Sequence, residues 1–444
     1  MNVAHDEVIE RASADDVMSL VADRHDPPMQ VGAVLMLDVG DHLDVAQLTD
    51  VLRHRLISVP RLRQRLIRAP IGCGRPVWVD CSGFDFAEHY TVIHFADPIT
   101  EESALAHAAE QLTTRLPRDR PLWAATLLVG GRDGQGALVL VFHHVMADGI
   151  ASLSVLGHLA DGARSWPASD FPRPAPSRVR LAGDAAASRV RSLRQLRPAV
   201  HRLTGGVTEL RAALRGRAAP GSLNRPTGTR RRLRTVRSDL PLIIRLAHQH
   251  GATVNDVILT AITGAMHQLL TDRGEHMPAF VVSMPVSSRP QAVHGELGNH
   301  SGAVPVHLPA TGAFSARLRS TAGITRAAKR HSRGASTAVL SPLFRLMAKV
   351  GIYQRFINRQ RLVHTFVSDL TGPHAALTLL GHPITSIIPL AVATGNVTVA
   401  FTALSYAGTL VIAISADPDT CPDLDRLQQE LERQLNLGLG SLHP

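Results

Sequence analysis

The spacing of apolar residues switches repeatedly between the period of a helix and that of a strand. Ser13 to Asp23 has the pattern of a short capped helix and stops at Asp26-Pro27-Pro28. Gln30 to Val39 is a continuous apolar run, as a buried strand requires. Val45 to Ile57 returns to helical spacing before Pro60, and a basic turn leads to a short strand at Val77 to Asp80. Glu102 to Leu116 is a further helix closed by Pro117. Leu122 to Val129 and Ala137 to Phe142 predict a hairpin across a Gly/Asp loop. Beyond it, Ile150, Leu153, Leu156 and Leu159 recur at helical spacing within Ile150 to Ala163.

Pro167 to Pro176 is proline-rich and marks a boundary. Ala186 to Arg217 has the pattern of one or two basic amphipathic helices, interrupted near Pro198 and Gly205-Gly206. The next helix spans Leu240 to His250, and Gly251 to Asp256 caps another that runs to Leu270. Ala279 to Pro285, Ala303 to Leu308, Val397 to Ser405 and Gly408 to Ala416 read as strands. Phe344 to Ile357 and Asp423 to Leu435 read as helices. Strands and helices are thus mixed throughout, which implies an α/β protein of two domains. The boundaries fall at 1–165 and 238–444, with an Arg/Pro-rich crossover at 166–237.

Composition narrows the class. Cys73, Cys81 and Cys421 are too few and too scattered for a disulfide framework or a cysteine-based metal site, so a reducing cytoplasm is expected and no metal is assigned. The acidic start lacks the apolar core of a secretory signal, and no apolar run is long enough to span a bilayer. No Walker or dinucleotide glycine motif occurs, which leaves nucleotide hydrolysis and hydride transfer without support. The formal charge of +10 is local: residues 168–237 hold 17 arginines and no lysine against Asp170, Asp184 and Glu209, and the rest of the chain is net acidic. With almost no aromatics among them, these arginines suit an anionic lipid surface better than nucleic acid. A solvated crossover between domains is the competing reading.

The candidate chemistry lies at the exit of the hairpin, where Val141 to Ile150 reads VFHHVMADGI. Neighbouring residues of a strand point to opposite faces, so His143 and His144 have different tasks. One enters a cleft as a general base; the other packs or fixes the turn. An imidazole titrates near pH ~6.5 and accepts a proton at neutral pH. Asp148 either orients the base or holds the turn through an arginine, and Gly149 lets the chain reverse.

His143, His144, Asp148 and Gly149 together form an HHxxxDG motif that resembles that of acyl-CoA-dependent acyltransferases of chloramphenicol acetyltransferase-like fold. Further segments resemble the bacterial wax ester synthase/diacylglycerol acyltransferase family: Pro28 to Gly32, Pro60 to Arg63, Pro121 to Trp123, Gly251 to Val257, Gly298-Asn299, Ser368 to Pro373, Ser405-Tyr406 and Ala416-Asp417. They occur in family order over almost the whole chain. Two departures stand out: the family usually has His where Gln30 stands, and Asn-Val-Pro where Asp369-Leu370-Thr371 stand.

The resemblance implies mixed sheets with flanking helices and an interdomain tunnel that meets the motif. It also implies direct acyl transfer without a covalent acyl-enzyme. His144 is then the base, supported by His143 with Asp148 holding the loop, while Asn255 and Asp256 are substrate-binding. A helix N-cap is the plain alternative for Asn255. The implied co-substrate is long-chain acyl-CoA, with no other cofactor. The implied acceptor is diacylglycerol, or a long-chain alcohol giving wax esters, met at the inner face of the membrane or on lipid droplets. Two rival expectations are an HHxxxDG enzyme of polyketide-associated or condensation type, and a non-catalytic lipid-surface binding protein.

Overall fold

The computed structural model describes residues 9–441 apart from 24–25, 41–42, 132–133, 147–148, 164–165, 167–169, 195–216, 288–300, 332–343 and 345. In the first half, α1 (Ala14–Ala22), β1 (Gln30–Asp38), α2 (Val45–Ser58), β2 (Gln64–Ile67), β3 (Val77–Asp80) and β4 (Tyr90–His94) precede α3 (Glu101–Thr113). The hairpin β5 (Trp123–Val129) and β6 (Gln135–His143) follows, then α4 (Gly149–Leu159) and α5 (Arg178–Arg194). The second half runs β7 (Arg232–Asp239), α6 (Leu240–Gln249), α7 (Val254–Asp272), β8 (Ala279–Ser287), β9 (Ser301–Pro309) and α8 (Phe314–His331). It ends with α9 (Tyr353–Ile357), β10 (Thr365–Thr371), β11 (Thr378–Leu379), β12 (His382–Ala391), β13 (Val399–Tyr406), β14 (Thr409–Ala416) and α10 (Leu424–Gly440).

Among the described residues two six-stranded sheets form, ordered β11-β12-β1-β6-β5-β4 and β7-β14-β13-β10-β8-β9. β6 explains why its sequence is apolar without alternation. Leu138, Leu140 and Phe142 enter one core with α2 and α4, while Ala137, Val139 and Val141 enter another with α3. A strand covered on both faces needs apolar residues at every position. The second sheet packs against α6, α7 and α10 around Leu246, Ile258, Ile262, Phe401 and Leu431.

The two halves interlock. β12 pairs antiparallel with β1 from Val31↔Ala391 to Leu37↔Ile384, so residues assigned by sequence to the second domain complete the first sheet. Asp161 anchors the hairpin that leads into β12, accepting from Thr378 Oγ1 and the Gly381 N–H at 2.8 Å each. From the other side, Leu404 and Tyr406 of β13 enter the core of the first half.

The arginine-rich crossover divides into parts with different surroundings. α5 buries Leu181 against Cys73, Val77 and Val79 of the first domain, and its Ala185 is buried as well. Residues 195–216, including the expected break near Pro198 and Gly205-Gly206, lie outside the described residues. Farther on, β7 replaces the expected end of the crossover and forms a strand of the second sheet, paired with β14. Its arginines meet acids: Arg232 and Arg234 reach Asp425 at 2.8 and 2.7 Å, and Arg237 pairs with Glu101 of α3. The helix expected over Phe344 to Ile357 is interrupted at Gly351, whose φ of 77° is outside the helical region, and only α9 continues beyond it.

Candidate functional site

β6 delivers its last residue, His143, to the rim of the first sheet and then turns. The Met146 N–H donates to the His143 carbonyl at 2.9 Å, and α4 begins at Gly149. The expected strand-to-helix turn is therefore present. Asp148 lies outside the described residues, as does Gly298-Asn299.

The two histidines differ in environment. His143 is buried, with its Nδ1 accepting from the Val145 N–H at 3.0 Å. A ring nitrogen that accepts carries no proton, so the network assigns the ring proton to Nε2. That nitrogen stands 3.2 Å from Asp23 Oδ2, close enough to pair though off the alignment of a strong hydrogen bond. His144 is half-buried, and its backbone N–H donates to the Met29 carbonyl at 2.8 Å. His143 thus braces the turn from inside, and His144 is the more exposed of the pair.

Asp23 had no role in the sequence reading beyond ending α1. Its side chain is only 1% exposed and serves four groups. Oδ1 accepts from the Met29 N–H at 3.0 Å; Oδ2 receives Arg115 at 2.7 Å, Arg118 at 2.5 Å and the His143 ring. Burial alone pushes a carboxyl up, but His143, Arg118 and the Met29 N–H outweigh it and hold Asp23 well below the usual carboxylate range. The partners are remote in sequence, Arg115 standing 92 positions away. No motif spacing connects them.

Gln30 helps to place those arginines. Its amide donates to the carbonyls of Gln111, Leu112 and Thr114 at 2.9 to 3.1 Å, and its Oε1 accepts from the Leu116 N–H at 3.1 Å. One buried side chain satisfies the carbonyls left open at the end of α3 and fixes the chain that carries Arg115 and Arg118.

In the second domain, Asn255 and Asp256 occupy the first turn of α7. Asp256 forms a capping box with Thr253 and accepts from Thr325 Oγ1 at 2.6 Å. Its carboxylate is thus engaged within its own domain, in the cap and with Thr325. Asn255 is half-buried, and its Nδ2 lies 3.3 Å from the Met284 sulfur. Among the described residues no group of three or more His, Cys, Asp or Glu side chains is placed to hold a metal ion.

The family model of the wax ester synthase/diacylglycerol acyltransferase catalytic domain matches residues 13–258, and that of the WS/DGAT C-terminal domain matches 297–437. The chain belongs to the wax ester synthase/diacylglycerol acyltransferase family. It is an acyltransferase. It is 28% identical over 425 residues to the probable diacylglycerol O-acyltransferase tgs1 of Mycobacterium tuberculosis, covering 92% of this chain and 91% of that one. The putative diacylglycerol O-acyltransferase Rv1760 of the same organism is 27% identical over 448 residues, covering 94% and 87%. Among solved structures, the wax ester synthase/diacylglycerol acyltransferase from Marinobacter aquaeolei VT8 superposes with a TM-score of 0.69 at 21% identity, covering 97% of this chain and 99% of that one. A starter condensation domain of rhizomide synthetase RzmA gives 0.64 at 16%, covering 97% and 95%. These likenesses establish the fold, the two-domain arrangement expected from the motifs.

Within this acyltransferase the short family segments have visible structural work. The Leu122 carbonyl accepts from the His143 N–H at 2.9 Å, and the Trp123 indole donates to the Leu62 carbonyl at 2.8 Å. Pro60 to Arg63 and Pro121 to Trp123 therefore meet behind the motif. Tyr406 donates its hydroxyl to the Ile384 carbonyl at 2.9 Å and accepts from the Leu377 N–H at 2.7 Å, tying β13 to β12.

Proposed function

We propose that this acyltransferase moves a long-chain acyl group from acyl-CoA to the free hydroxyl of diacylglycerol, producing triacylglycerol, with His144 as general base. The supporting observation is the division of labour between the two histidines: His143 is committed inside the turn, leaving His144 as the more exposed imidazole at the end of β6. As the acceptor oxygen attacks the thioester carbon, His144 takes the hydroxyl proton. The C–S bond then breaks, and the proton passes to the departing thiolate, giving free CoA. No acyl-enzyme forms. Asn255 helps to place substrate, and Asp256 holds the helix start on which Asn255 stands.

An apolar acceptor site discriminates weakly between hydrophobic alcohols, because a methylene changes binding by only about 1 to 3 kcal/mol. Long-chain primary alcohols are therefore acylated as well. The reaction takes place with the protein on an anionic membrane or lipid-droplet surface, at the inner face of the membrane. α5 supports this: Arg178, Val179, Arg180, Val190 and Arg191 are exposed on its outer side, and Ile71 is fully exposed on the adjoining loop. Among the described residues no helix is long and apolar enough to cross a membrane.

The test is incubation of purified protein with palmitoyl-CoA and a panel of acceptors, followed by lipid analysis. Triacylglycerol and wax esters are expected, with about 10²- to 10⁴-fold less from His144→Ala and a smaller loss from His143→Ala. Much faster transfer to a polar antibiotic or a polyketide diol would overturn the acceptor; a loss of only a few-fold in His144→Ala would overturn the base.

A further inference from the structure

We infer that Asp23 is a positioning residue for the acyl transfer: it holds His143 in the tautomer that fixes the turn bearing His144. The inference rests on His144 being the base. It begins from the two arms of the Asp23 carboxylate. Through Oδ1 it holds the Met29 N–H, and the carbonyl of Met29 in turn holds the backbone N–H of His144. Through Oδ2 it faces the Nε2 of His143, whose opposite nitrogen holds the Val145 N–H. Both arms end on the same turn, one at the N–H of its first peptide and the other at the N–H of its second.

The second arm works only in one tautomer. With the proton on Nε2, the ring donates toward the carboxylate and accepts from Val145. With the proton on Nδ1, two N–H groups would face each other at Val145 and a lone pair would face the carboxylate. A buried ring sandwiched between an obligate donor and an obligate acceptor is therefore locked in orientation as well as tautomer. Arg115 and Arg118 balance the carboxylate charge and stand 36% and 48% exposed, so they are anchored by Asp23 without being buried themselves. Gln30 keeps the segment that carries them in place. The consequence for chemistry is geometric, since a base displaced by about 1 Å loses on the order of 10²-fold in rate.

Asp23→Asn keeps the size of the side chain and removes its charge. An NH2 group in the place of Oδ2 would face the donors of Arg115 and Arg118, so the amide oxygen takes that side and meets the His143 Nε2–H without the charge that holds it. His143→Asn is the complementary change, because an Asn Oδ1 stands near the place of the histidine Nδ1 and accepts from Val145 without any tautomer to set. Expected results are a fall in kcat of about 10- to 100-fold for Asp23→Asn, with KM for palmitoyl-CoA within about 3-fold. In the His143→Asn background the same substitution costs less than about 3-fold. A charge-balancing or purely structural Asp23 would cost the same in both backgrounds, and that outcome overturns the inference.

Nitrogen-15 spectra of histidine-labelled protein, with His143 identified by subtraction of the His143→Asn spectrum, read the tautomer without any reference to activity. The wild-type ring should show a protonated Nε2. A wild-type ring protonated on Nδ1 overturns the inference even where the activity of Asp23→Asn falls. Loss of the base assignment appears separately, as retained activity in His144→Ala.

Discussion

Asp369 occupies the position where the family usually has asparagine, and it is the described carboxylate whose environment opposes its charge. Burial pushes it up to about 6, against the smaller opposing pull of Lys329. Folding thus favours its protonated form: the group supports the fold below the unfolded value near ~3.9, and that support is lost as pH rises through about 6. Asp369→Asn should consequently stabilise the protein by about 2 kcal/mol at pH 8, with the gain shrinking as pH falls toward 4. Urea midpoints at pH 4.5 and 8 check this; equal gains at both would mean that ionisation of Asp369 carries no cost. At the same scale, His143 and His144 were separable in sequence by strand alternation, whereas Asp23 was invisible, because the groups that recruit it come from three separate segments.

At the scale of elements, the apolar pattern located most helices and strands of the first half, and it failed where composition masked the period. β12 carries Pro383 and Pro389, which argue against a strand. They are tolerated because β11 pairs only as far as Thr378↔Pro383, so among the described residues the N–H-lacking edge at Pro389 has no neighbouring strand to satisfy, while β1 covers the other side. β7 was concealed by its arginines, whose partners Asp425 and Glu101 lie far along the chain. The start of α7 offers a test of element against site. Asp256→Ala removes half of the capping box and leaves the buried Thr325 hydroxyl only its longer bond to the Ala322 carbonyl at 3.3 Å, and should cost about 2 kcal/mol in stability. Asn255→Ala, which gives up little beyond its contact with Met284, should change stability by less than about 0.5 kcal/mol and yet lower kcat/KM about 10-fold. Unchanged kcat/KM would reduce Asn255 to a helix position.

For the whole molecule, the +10 charge is less available than it looks. Arg173 is matched to Asp80, Arg230 to Asp419, and the β7 arginines to acids of α3 and α10. Among the described residues, the exposed arginines of the crossover concentrate on α5, next to the exposed Ile71 loop. Replacing Arg178, Arg180 and Arg191 with Gln should weaken flotation with anionic vesicles, at about 1 kcal/mol per side chain in low salt, and salt should abolish the difference. The equivalent change at Arg230, Arg232 and Arg234 should leave vesicle binding unaltered. Identical flotation of both variants and the wild type would remove α5 from the membrane reading.

The HHxxxDG motif, the strand-to-helix turn that carries it and the α/β class were legible along the chain because each depends on neighbours a few positions apart. Period, turn residues and caps are local properties, and the first hairpin and α7 followed from them. The bracing of the turn by Asp23, the commitment of Asp256 to its cap, the pairing of the crossover arginines and the passage of β12 into the first sheet were decided by tertiary structure. Each depends on which remote groups share a buried space, and charge or hydrogen-bond satisfaction there is a property of the assembled cores. A linear count of arginines or a lone aspartate at a helix end carries no record of its partner.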